Sequence, residues 1–148
     1  MINTPLRILL ADDDESDRFV FREILEELEL ETVVHTANDG IELMQMLAGM
    51  EKRLPHLLFL DLNMPRKDGI TCLKEIRSNG KYSNISIAIY STSSTRDDID
   101  TTFRNGANIY ITKPRSYKDL KKVLAKAVSE THLKQDTNFN KAHFLLKI

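Results

Sequence analysis

His56-Leu57-Leu58-Phe59-Leu60-Asp61-Leu62-Asn63-Met64-Pro65-Arg66-Lys67-Asp68-Gly69 is the stretch from which the fold can be read. Leu57 to Leu60 is an unbroken apolar run of strand length. A run without alternation suits a strand covered on both faces, as in the middle of a parallel sheet. A carboxylate follows at once. Pro65 lacks a backbone N–H and Gly69 tolerates positive φ, so a loop follows Asp61. In open α/β sheets ligands bind outside the carboxyl ends of the strands, which puts Asp61 where chemistry would occur. Alone, an Asp at this point would more often cap a turn or the next helix than carry chemistry. The rest of the chain decides between the two.

Working outward, the same pattern recurs. Leu6 to Ala11 reads as a first strand, and the acidic run Asp12-Asp13-Asp14-Glu15-Ser16-Asp17 opens a helix whose negative charges suit the N-terminal end of its dipole. That helix extends to about Leu28 with Phe19, Val20, Ile24, Leu25 and Leu28 as its apolar residues. Thr32 to Ala37 is a β-branched second strand, and Ile41 to Met50 a second helix burying Leu43, Met44 and Leu47. The third helix, Ile70 to Ser78, ends at Asn79-Gly80. Ile85 to Tyr90 is the fourth strand, followed by the polar loop Ser91 to Ser94. Thr95 and Asp98 have capping-box-like spacing for a fourth helix through about Asn105. Asn108 to Thr112 is the fifth strand. Ser116 with Asp119 starts a fifth helix whose apolar face is Leu120, Val123, Leu124, Ala127 and Val128. Five strand–helix alternations predict an α/β fold, a parallel sheet with helices on both faces.

Composition narrows the function classes. The chain has 148 residues, 41% hydrophobic and 29% charged, which fits one globular domain of common size. Lys and Arg number 21 against 22 Asp and Glu, so no bulk charge favours nucleic acid or an anionic membrane. The single cysteine, Cys72, excludes an internal disulfide and reads as a buried thiol beside Leu73 and Ile76. No stretch approaches the ~18 apolar residues of a membrane span, and the N-terminus lacks a signal-peptide pattern. A cytoplasmic location is the expectation.

In a parallel sheet the carboxyl ends of all strands lie on one rim. The first strand brings Asp12 and Asp13 there, the third Asp61, the fourth Ser91 and the fifth Lys113. Three converging carboxylates repel, and they stay ionised only if positive charge joins them. A hard cation ligated by oxygen, Mg²⁺, answers this, whereas no His or Cys is near to favour zinc or copper. Lys113 adds a point charge and Ser91 a hydroxyl. A metal, an amine and a hydroxyl around one free carboxylate suit phosphoryl transfer, with the carboxylate as nucleophile.

These residues resemble the receiver domain of two-component response regulators, the CheY-like family. Asp61-Leu-Asn-Met-Pro-Arg-Lys-Asp-Gly69, the Asp12-Asp13 pair and Tyr110-Ile-Thr-Lys-Pro114 carry the likeness, which covers about Leu6 to Glu130. The resemblance implies a flavodoxin-like doubly wound three-layer α/β/α sandwich with strand order 2-1-3-4-5, an order for which CheY is itself a standard example. It implies Asp61 as phosphoacceptor, and Asp13 and Asp61 as direct Mg²⁺ ligands. Asp12 would ligate through water and Asn63 through its backbone carbonyl. Ser91 and Lys113 would contact the phosphoryl group, and Ser91 and Tyr110 would act as switch residues. The phosphodonor would be a sensor histidine kinase or a histidine phosphotransfer protein. The chain would not be an enzyme beyond its own phosphorylation and dephosphorylation.

Three other functions share parts of this logic. An Mg²⁺-dependent phosphohydrolase with an aspartyl-phosphate intermediate would want an acid/base carboxylate two residues after the nucleophile, where this chain has Asn63. A phosphorylation-independent adaptor would not need Asp12, Asp13, Asp61 and Lys113 together. A flavin site would want a phosphate-cradling loop after the first strand, and here that loop is acidic. Residues 1–131 are expected to form the receiver domain, with 132–148 a tail and no output domain. The apolar end of the tail, Ala142-His-Phe-Leu-Leu-Lys-Ile148 with Phe139 nearby, is expected to pack on its own domain or on a second copy in a homodimer.

Overall fold

The computed structural model describes residues 4–133 and 144–146. Strands and helices alternate as β1 (Leu6–Ala11), α1 (Glu15–Glu27), β2 (Thr32–Ala37), α2 (Gly40–Gly49), β3 (Leu57–Leu60), α3 (Gly69–Arg77), β4 (Ser86–Ser91), α4 (Arg96–Arg104), β5 (Ile109–Thr112) and α5 (Tyr117–Leu133). All neighbouring strands pair in parallel, in the order β2-β1-β3-β4-β5. This is the doubly wound, flavodoxin-like architecture that the resemblance implied. β3 is central and each of its four residues is buried, as its lack of alternation required.

Alternate residues of each inner strand serve two separate cores. Leu10, Phe59 and Tyr90 face α1 and α5, where they meet Phe21, Ile24, Leu124 and Val128. Leu9, Leu58 and Ile87 face the other layer, with Leu43 and Leu47 of α2, Leu73 and Ile76 of α3, and Phe103 of α4. The helices start where side-chain oxygens satisfy their free N–H groups. Asp14, Asp39, Asp68 and Thr95 accept from the third residue on, and Ser116 accepts from Asp119 N–H. Each such cap contributes about 1 kcal/mol.

Three details differ from the sequence reading. Phe19 is not part of the apolar face of α1; it is 63% exposed, and Phe21 is buried instead. Phe21, Ile24, Leu25 and Leu28 follow the i, i+3, i+4, i+7 stripe, and Phe19 sits two residues from its start, on the far side of the helix. Met44 is only half-buried. A 3-10 turn at Gly80–Tyr82, absent from the sequence reading, buries Tyr82 against the core.

The sheet does not end bare at β5. Leu145 forms a parallel bridge with Tyr110, and Leu146 N–H donates to the Tyr110 carbonyl at 3.0 Å. Phe144 is fully buried. The tail therefore packs on its own domain at these three residues. Phe139, Ala142, His143, Lys147 and Ile148 lie outside the described residues.

Candidate functional site

The sheet ladder runs one residue past β1, β3 and β5 and fixes the rim. Asp12 N–H donates to the Ala37 carbonyl at 3.1 Å, Asp61 N–H to Ala11 at 3.0 Å, and Lys113 N–H to Ser91 at 2.8 Å. Side chains far apart in sequence are thereby held to rigid backbone. One carboxylate oxygen from each of Asp12, Asp13 and Asp61 lies within 4.8 Å of the others. Asp12 is fully buried, Asp61 nearly so, and Asp13 is exposed.

Charge in this cluster is only partly compensated. Lys113 Nζ lies 2.7 Å from Asp12, 3.0 Å from Asp17 and 3.9 Å from Asp61. It also sits over the Tyr90 ring, 4.7 Å from the centroid. Burial pulls the lysine toward its neutral form, but the hydrogen bond and charge of Asp12 outweigh that and leave its pKa raised. Burial pushes Asp12 up despite the Lys113 hydrogen bond. Asp61 is pushed up from 3.8 to about 6: burial raises it, the Lys113 charge lowers it, and the Asp12 charge raises it again. An oxygen-only pocket that holds its carboxylates against their preference lacks positive charge. Mg²⁺, the cofactor of receiver domains, fits that donor set.

The loop after Asp61 is clamped from both sides. A Cβ on Gly69 would lie 2.2 Å from the Asp61 carbonyl oxygen, so only glycine lets the loop close there. A Cβ on Gly40 would lie 2.1 Å from the Lys67 carbonyl oxygen. Arg66 adopts φ 67°, and its guanidinium grips Asp39 with bonds of 3.1 and 2.8 Å. Asn63 N–H points back at the Asp61 carboxylate at 3.4 Å.

The loop after β4 is held differently, by hydroxyls. Ser91 is fully buried, and its Oγ accepts from Ser93 N–H at 3.1 Å. The Ser93 hydroxyl donates to Asp98 at 2.5 Å. Tyr110, fully buried on β5, donates its hydroxyl to the Ser93 carbonyl at 2.8 Å. Burial raises the phenol pKa, and bonds to Ser93 and Ser91 partly offset that.

Residues 8–125 match the response regulator receiver domain family. The chain belongs to that family. Response regulator Rcp1 of Synechocystis is 32% identical over 126 residues, covering 82% of this chain and 86% of the relative. The phosphorylated cyanobacterial phytochrome response regulator RcpA superposes with a TM-score of 0.80 at 31% identity, over 90% of this chain and 97% of that one. The Mn²⁺-bound form of Rcp1 superposes at 0.77, also with 31% identity, over 88% and 96%. The function is accordingly that of a two-component phosphorelay response regulator, a class whose partners are histidine kinases or phosphotransfer proteins.

In this receiver the sequence-derived residues Asp12, Asp13, Asp61 and Lys113 converge on one rim. Ser91 lies on the adjoining strand end, and Asn63 stands in the loop directly after Asp61. Asp17 reads from the sequence only as part of an acidic helix start, yet it is the second carboxylate on Lys113. Its position in the first turn of α1, close behind the acidic pair, is the signal the sequence offers. Ser93 and Asp98 anchor the loop after β4, a task the sequence hides because Asp98 reads equally well as a cap partner of Thr95. Arg77 carries no sequence signal of its own. It ties the Gly106, Tyr82 and Ile85 carbonyls to Asn108 Oδ1 beneath β4 and β5.

Proposed function

We propose that Asp61 accepts the phosphoryl group. The observation that carries this is a nearly buried carboxylate at the end of the central strand, raised to about 6, with two acids and Lys113 gathered round it. A carboxylate oxygen of Asp61 forms the new P–O bond as the P–N bond of the donor's phosphohistidine breaks, and that electron pair leaves on the imidazole nitrogen. Asp13, Asp61 and the Asn63 carbonyl would hold Mg²⁺ directly and Asp12 through water, and the bound ion would supply charge neutralisation for the transferred group. Lys113 exchanges part of its hold on Asp12 and Asp17 for a phosphoryl oxygen. Ser91 donates its O–H to another. Tyr110 responds through the loop that both it and Ser91 contact.

The reading includes the wider setting. Residues 1–131 act as the receiver, and 132–148 follow it as a tail. The protein works in the cytoplasm as a phosphoacceptor that signals through protein contacts, without turnover of external substrates. Among the described residues no helix is long and apolar enough to cross a membrane.

The test is incubation with Mg²⁺ and acetyl phosphate, followed by intact mass. One added phosphate that is stable in acid and released by hydroxylamine is expected, and none in Asp61→Asn. Release of many phosphates per protein would favour a hydrolase. No adduct with any donor would favour an adaptor.

A further inference from the structure

The end of the tail and the rim of the sheet meet in one side chain, Tyr110. Its backbone carbonyl accepts from Leu146 N–H, and its ring lies against Phe144 with centroids 5.9 Å apart. Phe144 also meets Phe103 of α4 edge-on at 5.2 Å. The hydroxyl of the same tyrosine is fixed to Ser93, whose N–H is fixed to Ser91. The described contacts of the segment are thus one buried aromatic ring, one backbone bond and the half-buried Leu146.

We propose that the edge of β5 with the flank of α4 is a docking site for the chain's own Phe144–Leu146 segment, and that docking there and phosphorylation of Asp61 strengthen each other. The coupling rests on the assignment of Asp61 as phosphoacceptor. It runs through a continuous line of contacts. A serine hydroxyl has one proton to give and two lone pairs to receive. When Ser91 donates to a phosphoryl oxygen, its oxygen becomes a better acceptor for Ser93 N–H. That fixes the Ser93 carbonyl, which fixes the Tyr110 hydroxyl and keeps the ring buried. A buried ring is the floor on which Phe144 rests. A ring turned out to solvent would need the space Phe144 fills, so the docked segment and the inward ring exist together. Linkage makes the effect reciprocal: whatever phosphorylation adds to docking, docking adds to the affinity of Asp61 for a phosphoryl mimic.

The experiment is hydrogen exchange on the full chain, with Mg²⁺ alone and with Mg²⁺ plus beryllofluoride, a phosphoryl mimic. Exchange at Leu146 is expected to slow about 5-fold or more on loading, a coupling of ordinary size. Fluorine NMR on the same samples reports separately whether Asp61 has taken the mimic. Phe144→Ala should weaken beryllofluoride affinity by the same factor. Leu146→Pro, which removes the N–H on the β5 edge, should do likewise if the alanine variant folds poorly. Tyr110→Phe should keep the segment protected but make that protection indifferent to loading. Unchanged exchange at Leu146 with the mimic bound overturns the coupling. Protection that grows with protein concentration overturns docking within one chain, and places the segment on a second copy. No bound fluoride at all overturns the Asp61 assignment and the coupling with it.

Discussion

Replacing Asp61 with asparagine should make the protein more stable at neutral pH when Mg²⁺ is removed. The folded state holds the Asp61 proton with a pKa of about 6, against 3.8 for the free side chain. Between those values the folded chain binds more protons than the unfolded chain, so stability falls as pH rises through the window and levels off above about pH 6. A shift of roughly two units corresponds to about 3 kcal/mol. The amide in Asp61→Asn would keep the shape and still accept from Asn63 N–H, without the charge. For a domain of this size that is a rise in Tm of about 6–12 °C. The assay is urea unfolding of both proteins in chelator at about pH 7.5, 6 and 4. The gap should be full at the first, only slightly smaller at the second and mostly closed at the last. Adding Mg²⁺ should stabilise the wild type and leave the variant little changed. A wild type as stable as Asp61→Asn at neutral pH in chelator, or a gap that widens in acid, would refute the reasoning.

Lys113→Met should cost about 3 kcal/mol at neutral pH, because Asp12 is fully buried and loses its ion-pair partner; the loss should shrink when Asp12→Asn is added, as read by urea unfolding. Gly69→Ala should cost about 3 kcal/mol or more, since the new Cβ meets backbone rather than a flexible side chain; thermal unfolding and the rate of Asp61 labelling both read it. Arg77→Ala should cost about 3 kcal/mol by leaving carbonyls under β4 and β5 without donors; chemical denaturation reads the loss, and acetyl phosphate labelling should show little change at Asp61. Cys72 should resist thiol reagents in the folded protein, because burial raises its pKa to about 11; labelling should appear only in denaturant.

The sheet is legible because its central strand carries no polar residue at all, and because each helix start has a cap that physics requires. The rim is legible for the same reason: once the strands run parallel, the residue after each strand must lie on one edge. Phe19 is misplaced by the sequence because two aromatics two residues apart cannot share a helical face, and the stripe from Phe21 to Leu28 decides between them. Asp17 and Asp98 are hidden because helix starts are acidic for dipole reasons alone, which masks a carboxylate with a second task. The use of Arg77 depends on how α3 meets the turns before β4 and β5, and no local pattern encodes that meeting.

The two loops beside Asp61 differ in how they yield. Gly40 and Gly69 bring backbone close to backbone on the α3 side, where movement would mean collision, and the Arg66–Asp39 ion pair ties that loop down. On the α4 side Ser91, Ser93, Thr95 and Asp98 hold the chain by bonds that rotate. A force applied at the rim therefore meets a wall in one direction and a spring in the other. Were Asp61 to take a phosphoryl group as proposed, stiffness already present in the two loops would set the direction in which the change travels.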